Sequence, residues 1–255
     1  MLFTDANPTR AEDLRVFESN INEVAAVEGI DLDAKLAIAA EEIGDQILAY
    51  LLQPGSGDPQ SSGRRSIGLS TLVVTPALRR WHALHTLALT FRDAFHNQVS
   101  ERYRESWRQY VTAASEARSV LFRLGLGFVN EALPRPAKPS VTSMGGSWPV
   151  GTYLFQVAWV NARGQTSAPS EPVTLELTDP AAPIVVHPGS VPSTAVGWHV
   201  YAGEAGDDVF QQNLETLSLD TDWSPAGSSI LPGELPGSGQ FADIYITAST
   251  LAPRG

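Results

Sequence analysis

The sequence predicts an α + β protein of two domains, an N-terminal α-helical bundle followed by an antiparallel β-sandwich. Three observations carry that prediction. Apolar residues recur three and four apart through the first 130 positions and two apart beyond position 150. The run Leu133-Pro-Arg-Pro-Ala-Lys-Pro139 separates the two patterns, and prolines fix φ and remove backbone donors. The charge also changes along the chain: net −9 over residues 1–58, +7 over 59–138 and −9 over 139–255. The expected boundaries are a helical domain at 1–132, a linker at 133–140 and a sandwich with a C-terminal extension at 141–255.

Each element has a local reason. Thr9 with Glu12 has capping-box spacing, and Leu14, Phe17, Ile21 and Val24 form one helix face that stops near Gly29. Asp31 or Asp33 caps a second helix with the stripe Leu36, Ala40, Ile43, Ile47 and Leu51. Pro54–Gly63 has no large apolar residue and reads as a flexible loop, with Arg64 and Arg65 directly after it. Ser70–Val74 is a short extended piece. Thr75-Pro76 starts a third helix, Thr at the cap and Pro in the first turn. Its stripe is Leu78, Trp81, His85, Leu89 and Phe95, and Asn97-Gln98 either breaks it or lies inside a longer helix. The next stripe, Tyr103, Trp107, Tyr110, Ala114, Ala117 and Leu121, ends at Gly125 and Gly127.

Beyond the linker, Thr152–Asn161 alternates, with Tyr153, Phe155, Val157 and Trp159 on one face and a turn at Asn161–Gly164. Val173–Leu177, Ala182–His187 and Ala195–Ala202 are further strands. Gly203–Asp208 is a turn into a hairpin at Val209–Gln212, and Phe241–Thr247 is a late strand. Residues 224–240 are a long loop or excursion. Short strands at this spacing, separated by Gly/Pro turns, indicate an antiparallel sandwich.

Composition excludes several classes. The 255 residues contain no cysteine, which removes disulfides, thiolate metal sites and cysteine nucleophiles. Met1-Leu2-Phe3-Thr4-Asp5 has no basic run before an apolar one, so no signal peptide is expected, and no apolar stretch reaches membrane-spanning length. The expected form is a soluble protein folded in the cytosol. The net charge of −11 argues against a freestanding nucleic-acid binder. The basic middle block can meet an acidic partner, the acidic block of another copy, or DNA; equally, it is a solvated face.

Catalytic patterns are missing. His82-x-x-His85 lacks the glutamate of a zinc-protease helix, and His96 lies too far along a helix to complete a site. Gly55-Ser-Gly57 is followed by Asp58, which repels phosphate. Asp207, Asp208, Asp220 and Asp222 are calcium-ligand residue types but match no EF-hand loop, and no nucleophile elbow is present. No catalytic residue, metal or cofactor is expected, and the protein is expected not to be an enzyme. The aromatic strand from Tyr153 to Trp159 reads as sandwich core, with a carbohydrate platform as the other reading. Trp81 and Trp107 read as core or subunit contacts.

Two segments carry a resemblance. Gly151-Thr-Tyr-Leu-Phe-Gln-Val, then Asn161, Gly164, Ser167 and Ser170, then Gly197-Trp-His-Val-Tyr201, with Asp220-Thr-Asp222 as closing strand, resemble the immunoglobulin- or fibronectin-III-like modules of phage structural proteins. The helical part resembles the head-to-tail adaptor (connector, or head-completion) proteins of tailed phages. Its likeness lies in the acidic Leu36–Leu52 helix, the loop after it, and the helices from Thr75-Pro-Ala-Leu-Arg-Arg-Trp-His to Arg123-Leu-Gly-Leu-Gly127.

The resemblance implies a virion structural protein of the neck, assembled in the host cytoplasm. It implies a dodecameric homo-oligomer ring that meets portal and tail or neck proteins, with DNA passing through its lumen as cargo, no membrane, and the Ig-like domain facing outward. The interface candidates are Arg64, Arg65, Arg79, Arg80, Arg102, Arg104, Arg108, Trp81 and Trp107. The alternative is a host-surface or carbohydrate-binding module on an oligomerising helical base. A cell-wall glycosidase, resting on distant paired carboxylates, is the third class.

Overall fold

The computed structural model describes residues 1–52, 67–98 and 101–247. The expected loop at 54–63, with Arg64 and Arg65 after it, lies outside them. The chain is a mixed α+β protein with antiparallel sheets. It divides into two compact units that are interleaved in sequence. A helical unit takes Ala6–Asn130 and the stretch that begins at Ala242, and a β unit takes Met1–Asp5 and Glu131–Phe241.

The helical unit opens with two short helices, α1 (Ala11–Leu14) and α2 (Ile21–Glu28), where one was expected. The break has a cause. The Phe17 carbonyl is taken by the Tyr110 hydroxyl at 3.2 Å, and the same hydroxyl donates to Glu18 at 2.9 Å. Thr9 does not cap. It is buried, and its hydroxyl serves His82 instead, while the Arg10 N–H donates to Asp13 at 2.8 Å. Gly29, at φ +65°, ends α2 in the left-handed conformation that glycine adopts without strain.

α3 (Leu32–Leu51) is capped by Asp31, which accepts from the Asp33 and Ala34 N–H groups. Leu36, Ala39, Ile43, Gly44 and Ile47 form its buried face. α4 (Pro76–Gln98) is capped by Thr75, whose hydroxyl accepts from the Leu78 N–H at 3.3 Å. A 3-10 turn at Glu101–Tyr103 leads into α5 (Arg104–Leu124). Phe95 stacks on Trp107, Phe91 stacks on Tyr110, and Trp81 meets Phe122 edge-on, so α4 and α5 run antiparallel. α4 is the central helix, with α3 and α5 both packed on it.

After α5, β1 (Leu126–Phe128) pairs with the extended piece at Leu72–Val73 and with β8 (Ile244–Ile246). The late stretch expected as an extension of the sandwich therefore belongs to the helical unit. Gly127 permits this pairing, because a Cβ there would sit 2.7 Å from the Cβ of Ala242.

The β unit contains β2 (Ser140–Trp148), β3 (Gly151–Asn161), β4 (Val173–Leu177), β5 (Ala181–Val186), β6 (Ala195–Glu204) and β7 (Phe210–Gln211). β2 pairs with β5, and the second sheet has the order β4-β3-β6-β7. Both sheets feed one core. Tyr153, Phe155, Val157 and Trp159 on β3 lie beside Trp198, Val200 and Ala202 on β6, and Trp148, Leu177, Val185 and Trp223 complete it. The proline run is packed rather than a spacer. Leu133 is in this core, and Arg135 donates to the Pro169 carbonyl at 2.7 Å and through its backbone to Asp5 at 2.8 Å.

The edge of β3 beyond its pairing with β4 is satisfied by polar side chains. The Asn161 side chain accepts from the Arg163 and Gln165 N–H groups to hold the turn. The Ser167 and Ser170 hydroxyls accept from the Trp159 and Val157 N–H groups, so the segment before and after Pro169 pairs with β3 through side chains. The spacing Asn161, Gly164, Ser167, Ser170 thus has a physical meaning: a capped turn followed by side-chain pairing at every third residue. The excursion runs along β7. The Gln211 N–H donates to the Glu234 carbonyl, and the Gln212 side chain bonds both backbone groups of Leu231.

Candidate interaction groove

α3 and α5 flank α4 and leave one side of it uncovered. The result is a cavity of about 380 Å³. Trp81, His85, Ala88, Leu89 and Arg92 of α4 form its floor, Glu42 and Gln46 of α3 one wall, and Trp107, Val111, Ala114, Ser115 and Arg118 of α5 the other. The floor residues recur at helical spacing, which puts them on one face of α4.

The electrostatics of the lining are mixed. The His85 Nε2–H donates to the Glu42 carboxylate at 2.6 Å, across the α3–α4 seam. Arg92 reaches Asp93 at 3.4 Å. Arg118 lies 5.5 Å over the Phe122 ring and has no carboxylate partner among the described residues. Two guanidiniums and two indoles therefore border an open recess. Such a lining binds groups that combine a carboxylate with an apolar body. Beside the groove, the Lys35–Asp93 ion pair joins α3 to α4. Burial raises the Asp93 carboxyl, but Lys35 and then Arg92 outweigh it and hold it below the usual carboxylate range.

His82 lies beneath the groove and plays a structural part. Its Nε2–H donates to the Leu36 carbonyl at 3.0 Å, and its Nδ1 accepts from the Thr9 hydroxyl at 2.7 Å. Burial lowers its pKa to about 4, the Leu36 carbonyl opposes that shift, and His85 adds to it. Both ring nitrogens are used, so His82 and His85 do not converge on an ion. Among the described residues, no group of three or more His, Asp or Glu is placed to hold a metal.

The structure brings some of the expected interface residues together. Trp81 is the buried floor of the groove and half-buried Trp107 is its wall. Arg79 and Arg80 are exposed on the first turns of α4, and Arg108 is exposed on α5. Arg102 is exposed over the Tyr103 ring. Arg104 is engaged, 2.6 Å from Glu101 and over the Phe95 ring. None of these five arginines lines the groove, and Arg64 and Arg65 lie outside the described residues. The groove's own cations, Arg92 and Arg118, went unnoticed in the sequence. A signal existed: each stands eleven residues after a tryptophan, Trp81 and Trp107, on the same helix face.

In the β unit, Trp148, Trp159, Trp198 and Trp223 are all buried, so the aromatic strand is core. No helix among the described residues is long and apolar enough to cross a membrane. No protein-family model matches the chain, and no curated protein matches it.

Proposed function

We propose that this chain is a structural assembly protein: a head-to-tail adaptor of a tailed phage. Copies form a ring at the portal–tail junction, and DNA passes through the lumen. The helical unit makes the ring contacts, and the β unit is an appended immunoglobulin- or fibronectin-III-like module.

The observation that carries this reading is the division of charge and exposure within the helical unit. Acidic α1 to α3 and basic α4 to α5 belong to one folded unit, and they leave an open groove bordered by Arg92 and Arg118 on one part and exposed apolar residues on another. A unit with two dissimilar, complementary surfaces assembles head to tail, and such contacts close into rings. For the β unit, the turn at Asn161–Gly164 and the serine pairing at 167 and 170 support the module reading, since they give the resembling residues structural work.

The test is symmetry-resolved electron microscopy of purified particles. A ring of this chain between portal and tail is the expected result. Absence from particles, or a position at a fibre tip, overturns the reading.

A further inference from the structure

We propose that the groove between α3 and α5 seats the outer face of α3 from a second copy of this chain. The inference rests on the reading that copies assemble, and it names the contact.

The groove is built from one series used twice. α4 carries Trp81, His85, Ala88 and Arg92, and α5 carries Trp107, Val111, Ala114 and Arg118, at identical spacing. Because the two helices are antiparallel, the series run in opposite directions. Trp81 faces Phe122, and Arg118 lies one turn inward of that point. Trp107 stacks on Phe95, and Arg92 lies about one turn inward of that. Along the helix axes the residues therefore run Trp81, Arg118, Arg92, Trp107, with the Arg118 guanidinium drawn back over the Phe122 ring.

The side of α3 turned away from the core carries the matching order. Ile38, Glu41, Asp45 and Leu48 are spaced three, four and three apart, which puts them on one stripe. All four are exposed, Ile38 at 37% and Leu48 at 38%, and Leu52 extends the stripe at 81%. Ala34, Ala37 and Ala49 are exposed on the same side, so the face is apolar apart from its two central acids. The stripe reads apolar, acid, acid, apolar. Ile38 to Leu48 spans about 15 Å, while the groove from Trp81 to the Phe95–Trp107 stack spans about 21 Å of helix axis, so the stripe fits between the indoles.

The fit is both apolar and electrostatic. Glu41 and Asp45 meet Arg92 and Arg118, and the apolar ends of the stripe meet half-buried Trp107 and Val111, which is 47% exposed in the single chain, above the buried Trp81 floor. A chain cannot satisfy itself in this way, because its α3 already forms one wall of its own groove through Glu42 and Gln46. The contact runs from the stripe of one copy to the groove of the next. Every bound pair keeps one unused stripe and one unused groove, as a growing ring requires.

The chain has no cysteine, so introduced thiols are the only ones present. Val111→Cys on the groove wall and Leu48→Cys or Ile38→Cys at the ends of the stripe are made in separate chains of different mass, mixed in equal amounts and oxidised. All three positions are exposed, so the variants keep the core intact. A disulfide needs Cα atoms about 4.4–6.8 Å apart. The expected result is the mixed dimer in several-fold excess over either homodimer. A random yield, or a Val111→Cys homodimer as the main product, overturns the proposal.

Charge reversal supplies the second readout. Glu41→Lys with Asp45→Lys in the stripe chain, or Arg92→Glu with Arg118→Glu in the groove chain, lowers the mixed dimer about tenfold, and combining the two restores it. A yield indifferent to these charges overturns the proposal, and so does its suppression by a small aromatic carboxylate together with indifference to the stripe variants. The cross-link uses the chain alone. A ring in particles with no cross-link refutes this contact only, and a cross-link with no ring in particles refutes the virion reading only.

Discussion

The two units handle their surfaces in opposite ways. The β unit fills its core and satisfies the open edges of its main sheet. Four tryptophans lie in the core, and serines 167 and 170, Asn213 and the excursion through Leu231 and Glu234 take up backbone groups that the strand pairing leaves free. The helical unit leaves a groove over its central helix and an apolar stripe on α3. A folded unit normally covers apolar helix faces, since removing them from water is the main gain of folding. In the proposed assembly the recess and the stripe find their partner in another copy, which would divide stability and association between different parts of the chain.

The strongest test of that division attacks the β core. Trp198 is fully buried, pairs with Trp159 across β3 and β6, and donates its indole N–H to the Ser218 carbonyl at 3.1 Å. Trp198→Ala is expected to destabilise the β unit by about 3–5 kcal/mol, read from urea unfolding followed by tryptophan fluorescence. The mixed-dimer yield of the helical groove is expected to stay unchanged. A parallel loss of cross-linking would break the comparison, because it would make the groove depend on the β core.

Much of the fold was legible in the sequence, and the failures share one cause. Strong periodic stripes gave α3, α4, α5, β3 and β6, because one buried face fixes the period. The failures came where a polar side chain had a distant partner. Thr9 looks like a cap but serves His82, 73 residues on. Residues 15 to 20 continue a helical stripe, yet the break among them leaves the Phe17 carbonyl to Tyr110. The proline run at 133–139 reads as a spacer but packs with the β unit. The groove was half legible: Trp81 and Trp107 were marked as contacts, while Arg92 and Arg118 were missed, since the antiparallel register that gathers all four is a tertiary fact. The exposed arginines 79, 80, 102 and 108 were more conspicuous and lie elsewhere.

A second prediction concerns the closed side of the helical unit. His82 is neutral in the fold, with a pKa of about 4 against 6.5 when exposed. Above about pH 6.5 it is neutral in both states and its contribution does not vary. Between that pH and about 4 the unfolded chain takes up a proton and the fold does not, so stability falls as pH falls. The slope reaches about 1.4 kcal/mol per pH unit and the total about 3 kcal/mol. Urea midpoints at about pH 7 and about pH 4.5 read it, and His82→Gln, less stable at neutral pH, lacks the slope. Burial also lowers His199 in the β unit, so a His199→Gln control separates the two units.

A smaller effect is expected at the β1–β8 pairing. Gly127→Ala puts a methyl 2.7 Å from the Ala242 Cβ and pushes β8 away, at about 1–3 kcal/mol. Faster amide exchange at Ile244 and Ile246, with α4 and α5 protected as before, is the readout. Uniform loss of protection across the helical unit would show that β8 is integral to it rather than an added strand.

The smallest effect sharpens the comparison most, because it lies at the groove edge. Lys35 and Asp93 are each less than a third exposed, and their ion pair fixes α3 against α4 beside Arg92. Lys35→Met is expected to cost about 1 kcal/mol, as partly exposed pairs do. Its sign with pH is the same as that of His82, but its window lies lower. Asp93 is held below its usual value of 3.8, so the pair's contribution is present above that pH and is lost as pH falls through the lower value in the fold. The wild type should therefore lose stability in two acid steps, His82 first and Asp93 below it, and Lys35→Met should diminish only the lower one. Thermal melts from about pH 6 down to about pH 2 resolve the two. If Lys35→Met leaves the lower step intact but weakens the cross-link between copies, the pair positions the groove wall for assembly rather than stabilising the unit. The division between stability and association would then run through a single ion pair.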